Sequence, residues 1–549
     1  MDSYELKSII KNIELSINYR CNHILTLVDR NSYSDSFGCF DRAFWQYKIK
    51  DFASGMSQEA IYPLALALQN DFFKNISKSS KVDIINLISG AAKFSLDSQH
   101  SNGSVDDYFP FEQAAGATAF SAFSLINTLE MGLINFSKKY EKKFKNRIFW
   151  LAKHKESGRL SNHEALITLV IAKSARFFND KHLFELSYKR CLRLLSWQSK
   201  EGWFEEYGGF DIGYETLTFS CLLEISKILP DLKDKLSKVI SNNANLILEF
   251  AEPDYCIGGE LYSRSTWNFF GHGLLTYALE KDHGLLIKVL KILRSRFIDY
   301  PIYVQDDYII QHHLWSDLLT FTKLKEIDPL ILQEDKINLS YSKDVKVEKL
   351  YKESGHIWVR SGDIVVHISL KLGGVFRVYK KEKFKFQETQ NAIQFSGMTF
   401  MANSFNNNIS WEWIAKNKLK VKGFLTNYKK AKMNTIKLII LRIMMVTFGR
   451  YFSDTIRYLM QKILINTKFD KFKPFTRTFI FLEDSIEVED NYRLNKNEVR
   501  SSNVIITSFS AFRHVVMSKV FHPYFIQNKP PLNIDITKYK TNIIVKRKW

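Results

Sequence analysis

Cysteine is scarce in this 549-residue chain, and its distribution argues against a disulfide framework. The five cysteines are scattered, odd in number and never form a CxxC pair. Only Cys21 has a near histidine, His23, and one such pair is a weak metal signal. We therefore expect free, buried thiols in a cytosolic protein.

Long apolar runs are also missing. No stretch reaches about 18 uncharged apolar residues, so no membrane-spanning helix is expected. The first residues, Met-Asp-Ser-Tyr-Glu-Leu-Lys, lack a basic segment followed by an apolar run. We expect no secretory leader and therefore a cytoplasmic location.

Acidic residues are nearly absent from one segment. Residues 416–477 hold 16 Lys or Arg against Asp454 and Asp470, which leaves a local charge of +14 out of +20 for the chain. Apolar residues are interleaved with these charges. Such a segment suits an anionic membrane surface or an acidic polysaccharide, and a charged, solvated face over a buried helical hairpin is the structural alternative. No nucleic-acid recognition motif accompanies it, so nucleic acid is not an expected partner.

The first part of the chain has a helical pattern. Apolar residues recur at three- and four-residue spacing from about residue 5 to 325. Polar-aromatic loops interrupt this pattern at intervals of roughly 50 residues, as stacked helix pairs in a solenoid or closed toroid require. These loops cover 37–51, 101–116, 201–214 and 258–273. Because a chain of this length exceeds one ordinary core, we predict a helical domain over 1–330, with a cleft that collects the loops.

From about Val345 the period changes to two. Short strands are predicted at 356–360, 363–370, 375–379, 477–482, 485–490, 504–507 and 542–546. They indicate an antiparallel β-sandwich over 331–549, joined by a polar linker near 330–345. Residues 435–448 and 453–465 are apolar with basic interruptions. We interpret them as helices within a basic insertion at about 414–477.

The stretch from Gly202 to Tyr214 is the main candidate site. It places four glycines, three acids and two tyrosines in thirteen residues, including Glu205, Tyr207 and Asp211. Aromatic rings can stack on a sugar, and carboxylates and phenols can bind its hydroxyls or move a proton. Core packing and helix capping are the structural alternatives for these residues.

A second candidate precedes the helix that begins near residue 162. Asn162 and His163 open this helix, where their amide and imidazole would face the loops. Such groups could polarise a carboxylate and share a proton, although asparagine is also a common helix cap.

Other loops supply further candidates. Arg264 could clamp a uronate carboxylate through two hydrogen bonds, and His272 lies between two glycines. Acids, a base and an aromatic ring that could contact a sugar are Asp41, Arg42, Glu59, Glu112 and Trp267. His312 and His313 follow two aspartates, but adjacent histidines on a helix diverge, so no metal site and no cofactor are predicted.

These motifs resemble those of heparinase II/III-like proteins found in bacterial surface-polysaccharide gene clusters. The similar stretches are Gly38-Cys-Phe-Asp-Arg, Gly202–Tyr214 with Asn162-His163, and Gly373-Gly-Val-Phe-Arg-Val-Tyr, and they extend over nearly the whole chain. The resemblance implies an N-terminal (α/α) toroid followed by a C-terminal antiparallel β-sandwich. It also implies β-elimination on uronic-acid polysaccharides, with Asn162 and His163 neutralising the carboxylate and Tyr214 acting as acid and sometimes base.

The sequence departs from that resemblance at one position. Lyases of the family tend to carry a His-x-His-x-Asp-like stretch in the β domain, and here the comparable segment retains only His367. Tyr214 could serve both roles, His272 or His356 could substitute, or the protein could lack lyase activity.

Three functions follow from these observations. The first is a polysaccharide lyase-like enzyme that abstracts the C5 proton of a uronate in a bacterial surface polysaccharide. The second is a uronyl C5-epimerase in the synthesis of a capsule, O-antigen or exopolysaccharide, and the third is a non-catalytic glycan-binding assembly protein. Expected partners are an acidic polysaccharide or a lipid-linked oligosaccharide, with peripheral attachment to the inner face of the membrane as a further hypothesis.

Overall fold

A computed structural model describes residues 2–549 of the chain with internal gaps. The gaps are 74–77, 156–157, 207, 282, 303–305, 330–344, 403–408, 429–433, 454, 457–458, 460–471, 484, 506–521 and 525–530. The predicted Tyr207 contact, the linker near 330–345 and most of the helix predicted at 453–465 lie outside the described residues.

The N-terminal part is helical. Its helices are α1 Ser3–Leu27, α2 Arg42–Trp45, α3 Ile61–Gln69, α4 Lys78–Asp97, α5 Ala115–Glu130, α6 Lys138–Lys153, α7 Ser161–Phe178, α8 Lys181–Leu195, α9 Ile212–Ile228, α10 Lys233–Ala251, α11 Gly271–Lys281, α12 His283–Arg294 and α13 Leu314–Lys325. Alternate helices α3, α5, α7, α9, α11 and α13 contact one another in that order, and α13 returns to α3. The ring is therefore closed, which confirms the predicted (α/α) toroid.

Small residues allow the inner helices to approach closely. Helix α5 reads AGATAFSAFSLINTLE and is buried along nearly its whole length. Thr118 donates to the Ala114 carbonyl at 2.7 Å and Ser121 to the Ala117 carbonyl at 2.8 Å within the helix. The Ser124 hydroxyl donates outside the helix, to the Glu59 carbonyl at 2.5 Å. Such a helix can be buried on all sides without leaving polar groups unpaired.

The C-terminal part is built from antiparallel strands. They are β1 Lys346–Tyr351, β2 His356–Ser361, β3 Ile364–Ser369, β4 Val375–Lys380, β5 Lys383–Glu388, β6 Ala392–Phe395, β7 Met398–Met401, β8 Ser410–Ala415, β9 Lys418–Tyr428, β10 Phe472–Phe481, β11 Ile486–Arg493, β12 Ser502–Ile505, β13 Asn533–Lys538 and β14 Asn542–Lys548. Strands β1 to β5 form one sheet in sequence order. The other nine form a second sheet ordered β12-β6-β7-β9-β10-β11-β14-β13, with β8 beside β9.

The central strands β3 and β4 of the five-stranded sheet are buried on both faces, whereas its edge strand β1 is largely exposed. On β4, Phe376 and Val378 join a core shared with the nine-stranded sheet. Their neighbours Val375 and Tyr379 belong to the core of the helical part. Because side chains alternate across a strand, this one sheet joins the sandwich to the toroid.

The range 414–477, predicted as a basic helical insertion, is only partly helical. It contains β9 and the start of β10, which pair with each other. Between them the structure describes helix α14, Thr435–Thr447, and a 3-10 turn at Gly449–Tyr451. A last short helix, α15, covers Lys496–Arg500. The domain boundaries themselves stay a prediction.

The structure can be compared with two further expectations, which concern the cysteines and membrane-spanning helices. All five cysteines are free and buried, as predicted. Among the described residues, no helix is both long and apolar enough to cross a membrane.

Candidate active site

The segment 202–214 forms a short hairpin against the start of α7. Isolated bridges pair Leu160 with Glu206 and Gln198 with Phe204. The preceding residue, Glu201, accepts the backbone N–H groups of Glu353 at 2.7 Å and Ser354 at 2.9 Å. The hairpin is therefore held by the toroid at its tip and by the β1–β2 turn at its base.

Asp211 organises the end of this hairpin. It caps α9 by accepting the N–H groups of Gly213 at 3.1 Å and Tyr214 at 3.3 Å. It also accepts the Arg264 N–H and the Thr266 hydroxyl, each at 2.9 Å. Burial raises the pKa of its carboxyl, against these hydrogen bonds. Asp211 thus ties the 202–214 hairpin to the 258–273 loop rather than facing a ligand.

Glu206 is a buried acid at the centre of the cluster. Its carboxylate accepts the Asn162 side-chain amide at 2.6 Å and the Asn162 backbone N–H at 3.3 Å. Burial raises the pKa of Glu206 to about 7, against the Asn162 hydrogen bond and the charges of His163 and Arg264. A carboxyl group poised near neutrality beside a cation and an imidazole is typical of functional sites.

Tyr214 stands in the first turn of α9 and is half-buried. Burial raises the pKa of its phenol to about 12, while Arg264 lowers it and Glu206 and Asp211 raise it further. The side chain of Asn268 also interacts with the phenol. Tyr214 is therefore a neutral proton donor at pH 7.

His163 is the second partly exposed titratable group of the cluster. Its ring lies against α5, where a Cβ added to Gly116 would come within 2.8 Å of the imidazole Cε1. Asn162 below it is fully buried. The cluster thus has two layers, with Asn162, Glu206 and Arg264 beneath Tyr214 and His163.

A second group of side chains extends from Tyr214 toward the N-terminal loops. Burial raises the pKa of Tyr108, Asp107 and Glu112 raise it further, and Tyr214 is among the groups near enough to add to this shift. Tyr108 is 63% exposed and stacks on Tyr308 with ring centroids 6.3 Å apart. Lys50 donates to the Tyr308 hydroxyl at 3.2 Å and pairs with Asp41 at 2.9 Å. The row therefore presents one exposed ring, one partly buried ring and a cation, which are groups that can stack on and bind a sugar.

The remaining predicted loop residues serve local structure. Arg42 hydrogen-bonds Gln46 and Tyr47, and Glu205 pairs with Arg159 at 3.1 Å. Glu112 accepts the Tyr108 N–H at 2.7 Å and thereby shapes the loop that carries this ring.

Three predicted residues lie away from the cluster. Glu59 is fully buried and pairs with His312. Trp267 is fully buried and stacks on His522 at 3.6 Å, so it offers no surface to a sugar. His272 hydrogen-bonds Ser316 at 3.0 Å and lies 3.6 Å from Glu224 on the fourth turn of α9. Because Tyr214 is in the first turn, His272 sits deeper in the toroid than the cluster.

The β domain contributes a histidine pair at the junction with the toroid. His356 Nδ1 and His367 Nε2 are 2.9 Å apart, and both rings are buried. Burial lowers the pKa of His356 to about 3 and that of His367 well below its ordinary value. His367 also stacks on Trp358 at 3.8 Å. Both rings are neutral at pH 7 and act as interface packing.

Metal ligands do not cluster in the described part of the chain. No group of three or more His, Cys, Asp or Glu side chains converges there as it would around a metal ion. His312 and His313 point to different partners, Glu59 and Asn268.

Comparison with protein-family models and with curated protein sequences finds no match. Solved structures do match. A chondroitin AC lyase from Streptomyces coelicolor A3 aligns with a TM-score of 0.51 at 8% identity, over 89% of this chain and 69% of that one. The chain has a polysaccharide-lyase fold.

Other polysaccharide lyases align at lower scores. A Paenibacillus xanthan lyase gives a TM-score of 0.48 at 9% identity and heparinase III gives 0.47 at 11%. The alignments cover 89% and 87% of this chain, and 46% and 70% of those lyases. The chain thus spans about half the length of the xanthan lyase. The resemblance predicted from the motifs is confirmed as a polysaccharide-lyase fold.

Proposed function

We propose that this protein is a polysaccharide lyase-like enzyme that abstracts the C5 proton of a uronate residue and eliminates the adjoining glycosidic bond. The observation that carries the proposal is the two-layered cluster on the polysaccharide-lyase fold. It combines a neutral phenol, an imidazole and a buried acid with a pKa near 7 beside a guanidinium.

The chemistry requires a group for each of three tasks. Removing a proton from a carbon beside a carboxylate builds negative charge on that carboxylate, which must be neutralised. The leaving glycosidic oxygen needs a proton, and the C5 proton needs an acceptor. We place all three tasks in this cluster, because the β-domain histidines are occupied by contacts with each other and with Trp358 at the interface.

We assign proton donation to Tyr214. Its pKa of about 12 keeps the phenol protonated at pH 7, so it can hand a proton to the leaving oxygen. His163, the other partly exposed group, then accepts the C5 proton. Below Tyr214, the positive charge of Arg264 and the proton held by Glu206 stabilise the negative charge of the developing enolate. Asn162 positions Glu206 by donating to its carboxyl group.

The substrate class follows from the same charges and from the shared fold. The chondroitin AC lyase structure holds chondroitin sulphate. In this chain, the cation Lys50 lies in the row of groups that leads to Tyr214, and the cation Arg264 lies beneath Tyr214. An acidic polysaccharide is therefore the proposed substrate.

The deciding experiment incubates the full-length protein with a panel of uronic-acid polysaccharides. Ultraviolet absorbance of an unsaturated uronate product reports elimination. Tyr214→Phe should lower the rate by about 10²- to 10⁴-fold, whereas Tyr33→Phe, a change at a tyrosine that is 97% exposed, should leave it unchanged. Solvent deuterium entering C5 without chain cleavage would identify the epimerase instead. Glycan binding with neither reaction would indicate a binding protein.

A further inference from the structure

Helix α14 carries two apolar faces, and only one of them contacts the protein. Leu441 and Met445 are buried against Phe109 and Phe111 of the 101–116 loop. In a helix, residues four positions apart share a face, so this pair forms one stripe. A surface helix normally carries polar residues opposite such a stripe.

The opposite face of α14 is also apolar. Ile436, Ile439, Ile443 and Val446 follow one another at three- and four-residue spacing. Their exposed fractions are 69%, 52%, 59% and 46%. Within the described residues, this face is turned to solvent along the whole helix.

The exposed apolar surface continues beyond the helix. Phe448, Tyr451 and Phe452, which follow α14, are 59%, 70% and 60% exposed. Contiguous exposed apolar patches on soluble proteins mark interaction sites. Aromatic rings of this kind are also typical of the boundary between lipid headgroups and acyl chains.

The surrounding charge identifies the occupant of this surface. The segment that leads into and contains α14, residues 429–450, holds six Lys or Arg and no Asp or Glu. A second copy of the chain would bring an equal positive charge to the same surface and be repelled. An anionic lipid surface offers negative charge to the basic residues and an apolar phase to the exposed face of α14. With 13 residues, α14 measures about 20 Å and is too short to span a bilayer, but it can lie in its plane.

We propose that α14 is an interfacial membrane anchor, with the Ile436–Val446 face inserted among the headgroups of an anionic membrane. This inference is independent of the proposed lyase activity. The buried stripe of α14, Leu441 and Met445, packs on the 101–116 loop. The same loop carries Tyr108, which lies near Tyr214. The anchor would hold the candidate cleft next to the membrane, where a glycan still attached to a lipid is within reach.

Flotation of the full-length protein with vesicles tests the anchor. Phosphatidylcholine vesicles should bind it weakly, and vesicles containing phosphatidylglycerol should bind it strongly at low salt. The double variant Ile439→Glu, Ile443→Glu should lower the partition coefficient by at least about tenfold, because both side chains would enter the acyl boundary. The matched control, Leu15→Glu with Val82→Glu, changes residues that are 58% and 55% exposed on other helices and should bind as the wild type does.

Three results would overturn the anchor. The first is no flotation with either vesicle type. The second is equal flotation of the double variant, which would mean that basic charge alone holds the protein. The third is that the wild type is a dimer in solution and the double variant is a monomer, because the apolar face would then be covered by a second copy. Circular dichroism of the double variant should match the wild type, because both changed residues are exposed.

Discussion

Replacing Glu206 with glutamine should remove a titration centred near pH 7. In the folded protein this carboxyl has a pKa of about 7, mainly because it is buried. Folded and unfolded chains therefore bind different numbers of protons between the ordinary pKa of 4.5 and about 7. The folded state holds the extra proton, so stability falls as pH rises through this window. Glutamine carries no charge at any of these pH values, so the stability of the variant should not show this decrease.

The size of the effect follows from the pKa difference. A rise from 4.5 to about 7 corresponds to roughly 3 kcal/mol, at about 1.36 kcal/mol per pKa unit. This penalty is absent at pH 4.5 and complete above about pH 7. For a helical unit of this size, it should shift the melting temperature by roughly 4 °C.

Scanning calorimetry of wild type and Glu206→Gln at pH 5 and pH 8 measures the difference directly. The variant should gain stability relative to the wild type as the pH rises. A weakened contact with Asn162 would lower the stability of the variant by the same amount at both pH values and would not change this trend. Glu205→Gln is the matched control, because that neighbouring carboxylate is partly exposed and pairs with Arg159. Its difference from wild type should not follow the Glu206 profile.

Infrared spectroscopy supplies an independent readout. One protonated carboxyl band should disappear between pH 5.5 and pH 9 in the wild type and be missing from the corresponding difference spectrum of Glu206→Gln, while the band of Glu260, another buried acid whose pKa is raised to about 7, should appear in both spectra. If the stability difference is the same at both pH values and no such band is found, the assignment of a near-neutral acid to this site is wrong.

Three further substitutions test the packing around the site and in the sandwich. Arg477→Met leaves two buried carboxylates short of a counter-charge and should cost about 3–5 kcal/mol; an unchanged urea midpoint would contradict this. Gly259→Ala, at a φ of 108°, places a Cβ 2.4 Å from Arg377 Nη2 and should lower the melting temperature more than Gly132→Ala, which has a φ of 71° and meets no atom within 4 Å. Asp211→Ala removes the α9 cap and should cost about 1–2 kcal/mol, with most of the activity lost; a variant that keeps full activity would show that the cap does not position the hairpin.

The toroid was predictable because its signal is local. Inner and outer helices both repeat every three to four residues, and polar loops separate them at a regular interval. The five-stranded sheet was harder, since its strand Ile364–Ser369 is buried at every position. Such a run does not alternate between apolar and polar residues, so it does not reveal which face meets the toroid.

The site was predictable in part. Tyr214, Asn162 and His163 do come together with Arg264, as their positions before helices suggested. Glu206 is not among the residues that the sequence predicts for the site, and only the alternation Phe204-Glu205-Glu206 hints that it shares a buried face with Phe204. No spacing rule could have shown its contact with Asn162, 44 positions earlier in the chain.

His272 shows why a motif can mislead. Its flanking glycines suggested backbone freedom at a functional loop. In the structure they open α11, where a Cβ on Gly273 would come within 2.3 Å of Ser220 Oγ. Gly273 is needed so that α11 can pack closely on α9, and the histidine before it is carried into the toroid interior.

The anchoring of the 202–214 hairpin at Glu201 has a mechanical consequence. The Glu201 carboxylate accepts two N–H groups from the β1–β2 turn, and Glu206 lies only five residues further along. The stem of the hairpin is therefore a tether between the two halves of the molecule. Any relative movement of sheet and toroid would act on this stem as well as on the core that the two halves share. Strain between the halves would then reach the contact of Glu206 with Asn162 through five residues of backbone.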